Sequence, residues 1–224
     1  MDQRTGAKFL SMDQNPKQKT LVWLGQTVVE PKTISPPVDV PGGLVQDWIG
    51  TLYLESATLD AVRDMLLNFG DYKYFFKEQV IESKQTKREG DRFEAMLRLY
   101  KRQVTPVVLN AQIAALYKSI DPERATIAIR STHIGEAAHP GKKKTYSQDR
   151  PDDDREGYLW RLNLYWRIAR GDNGVYAELE LISLARPSNG LHTGRYLTGY
   201  ETLPRELAEG ILDETRIAFP LMHR

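Results

Sequence analysis

Between Val80 and Arg186 apolar and polar residues alternate with a period near two, the spacing of strands whose two faces meet different surroundings. The alternation predicts strands over residues 78–88, 91–102, 104–118, 124–136, 158–170 and 174–186. Turn chemistry separates them: Glu89-Gly90-Asp91, Asp121-Pro122 and Gly171-Asp172-Asn173-Gly174. Residues 137–157 break the rhythm as a long polar loop with a basic and an acidic run. Upstream, Asp47 to Glu55 reads as a further strand. Thr58 then caps a helix through LDAVRDMLLNF, whose Val62, Met65, Leu66 and Phe69 fall on one face, with Gly70 as its C-cap. Tyr72 to Phe76 is a dense aromatic cluster. A closing helix is predicted from Leu203-Pro204, with Leu203, Leu207, Ile211, Thr215 and Ala218 at helical spacing and Pro220 stopping it. A helix could extend upstream through Arg195 to Tyr200.

The first stretch lacks such periodicity. Residues 1–20 read as a frayed polar terminus, and Leu21 to Val29 as a short strand or helix. Residues 31–43, with four prolines and two glycines, read as an extended connector. The division is therefore a polar N-terminal extension and Pro-rich connector over 1–43, followed by one domain over 44–220. Hairpin-connected strands followed by one long helix mean an antiparallel α+β fold, with a curved sheet wrapped around the C-terminal helix.

This order resembles the START-like (SRPBCC, helix-grip) superfamily of polyketide cyclases, lipid-transfer START domains and birch-pollen-allergen-like proteins. The segment DWIGTLYLESATLDAVRDMLLNFGDYKYFFKEQVIESKQTKREGD resembles the opening of cyclase-like members, and GYLWRLNLYWRIARGDNGVYAELELISLARP with LPRELAEGILDETRIAF resembles the last hairpin and gripping helix. The likeness covers about residues 44–219 and is most similar to bacterial members. It implies a cavity between sheet and helix that holds a lipid, sterol, polyketide or hormone. It also implies that Tyr72, Tyr74, Phe75 and Phe76 close the pocket mouth, although the same cluster could simply be core.

The chemistry of the chain narrows this. The 224 residues carry 31 basic against 30 acidic side chains, a net +1, which argues against a nucleic-acid binder and leaves membrane contact at most transient. No cysteine is present, so disulfides and thiol chemistry are excluded. There is no G-x-S-x-G elbow, H-E-x-x-H pair or phosphate-binding glycine motif. Asp152 to Asp154 lack the spacing of a calcium loop, and Lys142 to Lys144 read as a solvated face or a head-group contact. His133 and Ser131, two apart in a strand, should share a face, which is too little for a triad. No catalytic residue, metal or cofactor is expected. The opening residues lack a signal-peptide core, so the chain reads as soluble, cytoplasmic as written, or exported if a signal was trimmed.

Candidate ligand contacts come from strand faces. Trp160, Leu162, Leu164, Trp166 and Ile168 oppose Arg161, Asn163, Tyr165 and Arg167, and Phe93, Ala95, Leu97 and Leu99 oppose Glu94, Met96, Arg98 and Tyr100. Tyr176, Glu178, Glu180 and Ile182 likewise oppose Val175, Ala177, Leu179 and Leu181. Two arrangements are open. In one, the polar faces meet water and Arg161 or Arg167 pairs Glu178 or Glu180 across strands. In the other, Arg98, Tyr100, Arg161, Asn163, Tyr165 and Glu180 hold the polar end of a ligand, beside Tyr72, Phe75 and Phe76. The function expected is binding or transport of a hydrophobic small molecule, lipid-like or polyketide-like. The alternative is a cyclase- or hydratase-like enzyme using polar residues of the same cavity.

Overall fold

The computed structural model describes residues 4, 6–32, 38–101, 107–137, 159–185 and 203–221. The expected upstream helix at 195–200, nearly all of the 137–157 loop, and His139, His192 and His223 lie outside them.

The alternating segments form strands close to where the pattern puts them: β4 (Val80–Glu89), β5 (Arg92–Lys101), β6 (Val107–Asp121), β7 (Arg124–Glu136), β8 (Leu159–Gly171) and β9 (Gly174–Ala185). Each pairs antiparallel with its sequence neighbour. The earlier strand β3 runs from Gly43 to Glu55 and pairs with β9, so the first long strand and the last lie side by side. Two shorter strands, β1 (Val28–Pro31) and β2 (Val38–Val40), pair with β3. The order is β1-β3-β9-β8-β7-β6-β5-β4.

Helix α2 (Leu59–Leu67) starts at Thr58, whose Oγ1 accepts the Ala61 N–H at 3.2 Å. Val62, Met65 and Leu66 are fully buried. Burying such side chains contributes about 1.5–3 kcal/mol each. The helix ends at Asn68 rather than Gly70. Asn68 Nδ2 donates to Asp71 Oδ2 at 2.8 Å, and the chain tightens into a 3-10 turn over Phe69–Asp71 that buries Phe69. The short helix α3 (Tyr72–Phe75) follows. Helix α4 (Leu203–Ala218) lies on the inner face of the sheet, packed on β3, β9 and β1. Gly50 makes this approach possible: a Cβ there would lie 2.5 Å from Leu212 Cδ1 and 2.8 Å from Val29 Cγ2.

The reading of residues 1–20 as a frayed terminus is corrected over 6–20. Helix α1 (Pro16–Trp23) is capped by Asn15 and preceded by two 3-10 turns. Phe9, Leu10, Met12 and Val22 are buried against Ala169, Tyr53 and Tyr176 on the outer face of the sheet. Four apolar anchors at irregular spacing show no period, yet they suffice to seat the segment. The connector reading is also corrected in part, since β2 falls within it. Among the described residues, no helix is long and apolar enough to cross a membrane.

Candidate functional site

Period-two alternation on β5 to β8 sends Leu97, Leu99, Ile113, Ile129, Leu164 and Trp166 to the inner face. Helix α4 packs on the β3–β9 side of the sheet and leaves space above these strands. A cavity of about 60 Å³ remains there, closed by Leu207 and Ile211 of α4 and by Tyr72, Phe76, Gln79 and Val80 of the segment running from α3 into β4. Ala111, Ser131, Ile134 and Leu162 complete its wall. Ligand sites of drug-sized molecules span about 300–1,000 Å³, so a whole lipid would have to push this wall apart.

Among the described residues, none that lines it carries a formal charge. Of the polar ones, Tyr72 donates its hydroxyl to the Leu66 carbonyl at 2.6 Å, and complete burial pushes its phenol far above the usual tyrosine range. Ser131 Oγ accepts the Leu162 N–H at 3.0 Å, in the place of a ladder bond where the pairing of β7 with β8 ends. Gln79 Oε1 is buried without a hydrogen-bond partner. The edge beside Gln79 is tied to α4 by Glu214, whose Oε1 accepts the Glu78 N–H at 2.9 Å; burial holds this carboxyl above its ordinary range.

The expectation that Ser131 and His133 share a face is corrected. β7 carries a bulge: Ser131 pairs with Ile113 but His133 with Gln112, so two residues on β7 oppose one step on β6. Ser131 therefore turns into the cavity while His133 lines a groove on the outer face with Lys84, Met96 and Arg98.

Of the nine residues expected to contact a ligand, Tyr72 and Phe76 line the cavity. Phe75 is half-buried and packs against the core. The other six do not line it. Arg98, buried, donates to Asn110 Oδ1 at 3.4 Å on the outer face, with Tyr100 half-buried on the same side of β5. Arg161 is exposed and donates to the Trp160 carbonyl at 3.0 Å. Asn163 and Tyr165 face outward from β8, with the Arg130 guanidinium 5.8 Å from the Tyr165 ring centroid. Glu180 faces outward from β9.

The outward faces of β8 and β9 do pair charges, but away from water. Register places Arg167 opposite Glu178 and two pairs from Glu180, on the same face, and its Nη1 lies 3.5 and 3.4 Å from those carboxylates. All three are at most 1% exposed because the N-terminal segment covers them. That segment also neutralises them. Arg4 Nη2 reaches Glu178 at 2.6 Å, Ser11 donates its N–H and hydroxyl to Glu178 at 2.5 and 2.6 Å, and Lys32 Nζ reaches Glu180 at 2.7 Å. Asp47 stands beside them on β3. Burial, then the Glu180 charge, push its carboxyl up to about 6, against the pull of Lys32.

The cavity residues missed in the sequence differ in how visible they were. Leu97, Leu99, Leu162, Leu164 and Trp166 belong to the apolar faces already recognised, and their role as cavity wall follows once α4 is placed. Ser131 was hidden by the bulge. Gln79, in a turn, carried no signal.

A sheet of antiparallel strands holding one long C-terminal helix, with an apolar cavity between them, defines the START-like helix-grip class of α+β fold. Solved structures share it. The STAR-related lipid transfer protein of Xanthomonas axonopodis is 13% identical with a TM-score of 0.54, covering 86% of this chain and 98% of its own. A START superfamily protein from Mycobacterium smegmatis is 10% identical with a TM-score of 0.52, covering 79% and 98%. Human STARD10 is 10% identical with a TM-score of 0.50, covering 99% and 83%. No family model matches the sequence, and no curated protein matches it.

Proposed function

We propose that this chain binds or carries a hydrophobic small molecule, lipid-like or polyketide-like, in the cavity between β5–β8 and α4. The observation that carries the reading is a concave wall of apolar side chains that, among the described residues, carries no formal charge. Such a wall gains free energy from an apolar occupant and none from an ionic one. Likeness in fold to a protein described as a lipid transfer protein agrees with it. A cyclase- or hydratase-like reaction needs an acid and a base at the substrate, and among the described residues the lining supplies neither a carboxylate nor a histidine. Binding is therefore the reading the wall supports.

Native mass spectrometry of freshly purified protein, followed by organic extraction, tests this together with titration of the neutral dye Nile red. We expect a mass excess that disappears on denaturation, or saturable dye binding that weakens at least about tenfold in Ala111→Leu, which fills the cavity. A clean mass with no saturable dye binding, or binding unchanged in a folded Ala111→Leu protein, refutes the reading.

A further inference from the structure

We propose that the cavity selects an uncharged ligand bearing one hydrogen-bond donor, and that Gln79 recognises that donor. The inference rests on the binding function proposed above and names its ligand class. Burial of a carboxylate, phosphate or ammonium group is strongly unfavourable unless an opposite charge meets it. Among the described residues the wall offers none, since the one titratable residue lining it there, Tyr72, has a neutral phenol bonded to the Leu66 carbonyl. A charged head group is therefore excluded from the interior, whereas a neutral amphiphile fits it.

Among the described lining residues, three side chains besides the Trp166 indole can accept a hydrogen bond, and two of them are engaged: Tyr72 with Leu66, and Ser131 with the Leu162 N–H. Gln79 is the exception. Its Oε1 is buried with no donor, a state that costs free energy which a ligand hydroxyl or N–H recovers. The residue is also held in place. Its N–H donates to the Phe76 carbonyl at 3.0 Å, and its own carbonyl accepts the Tyr100 N–H at 2.8 Å. Its side-chain amide lies against Gly210 of α4, where an added Cβ would overlap Nε2. Pinned backbone on one side and the helix on the other preorganise the amide, so little ordering remains when a donor arrives.

Displacement of Nile red from the full-length protein tests this with three probes of matched length: decan-1-ol, its isomer 1-methoxynonane, which lacks the donor, and decanoate at about pH 8. Decan-1-ol is expected to bind about tenfold more tightly than the ether, the effect of one well-made hydrogen bond. Decanoate is expected to be at least about tenfold weaker than the alcohol. Gln79→Met should abolish the preference for alcohol over ether, whereas Ser131→Ala should keep it. Equal affinity for alcohol and ether in the unmodified protein overturns the proposal, and so does decanoate binding as tightly as the alcohol. Loss of the preference in Ser131→Ala but not in Gln79→Met overturns the assignment to Gln79. Failure of Nile red and every probe to bind is a different result: it refutes the cavity function itself.

Discussion

Asp47→Asn should stabilise this protein at neutral and alkaline pH and change little in acid. The Asp47 carboxyl is half-buried beside the buried Glu180, and its Oδ1 is buried without a donor. Burial first, and the Glu180 charge second, raise it from an ordinary 3.8 to about 6. A carboxyl more basic in the folded than in the unfolded chain favours folding in its protonated form. Its contribution is fully present below about pH 3.8 and is lost as pH rises through about 6. The displacement corresponds to about 3 kcal/mol, which partial solvent access reduces to about 1–2 kcal/mol. Asparagine keeps the shape and removes the charge, so the loss never occurs. Urea unfolding followed by tryptophan fluorescence, run between about pH 4.5 and 8, measures it. Asp47→Asn should gain about 1–2 kcal/mol over the parent at about pH 8, with the two converging towards about pH 4.5. A variant less stable at about pH 8, or an offset independent of pH, refutes the reasoning.

Two further outcomes follow from the covered outer face. Arg167→Met leaves Glu178 and Glu180 buried with Arg4 and Lys32 as the remaining cations among the described residues, and should cost about 3–5 kcal/mol in urea unfolding at about pH 7. Adding Glu178→Gln to it should recover part of that loss, and a cost below about 1 kcal/mol would show that the cluster carries no such energy. Leu10→Ala removes a side chain only 2% exposed between the N-terminal segment and the sheet, and should cost about 2–4 kcal/mol by the same measurement. A frayed terminus would lose nothing.

Local pattern carried much of the architecture because it is written in side chains that report their own neighbourhood. The strand β7 bounds, the Thr58 cap and the buried stripe Val62, Met65 and Leu66 depend on periodicity and capping within a few residues. So did the apolar faces of β5 and β8, which line the cavity. The polar faces were recognised as polar, but whether they met water, a ligand or other protein could not be read along the strand. Arg167, Glu178 and Glu180 look the same in sequence whether solvated or buried.

What covers them is decided by contacts far apart in the chain: Arg4 and Ser11 with Glu178, across 174 and 167 residues. Sparse anchors such as Phe9 and Met12 have no period, because they fit one particular sheet surface and not a repeating face. One extra residue in β7 likewise turned Ser131 inward and His133 outward, since a bulge shifts alternation without altering composition. The sequence by itself determined the seven long strands, the gripping helix and an apolar inner face, because those follow from periods of two and 3.6 residues. The tertiary structure alone decided the pairing of β3 with β9, the volume left under α4 and the burial of Gln79 Oε1 beside it without a donor, because each depends on where distant segments come to rest.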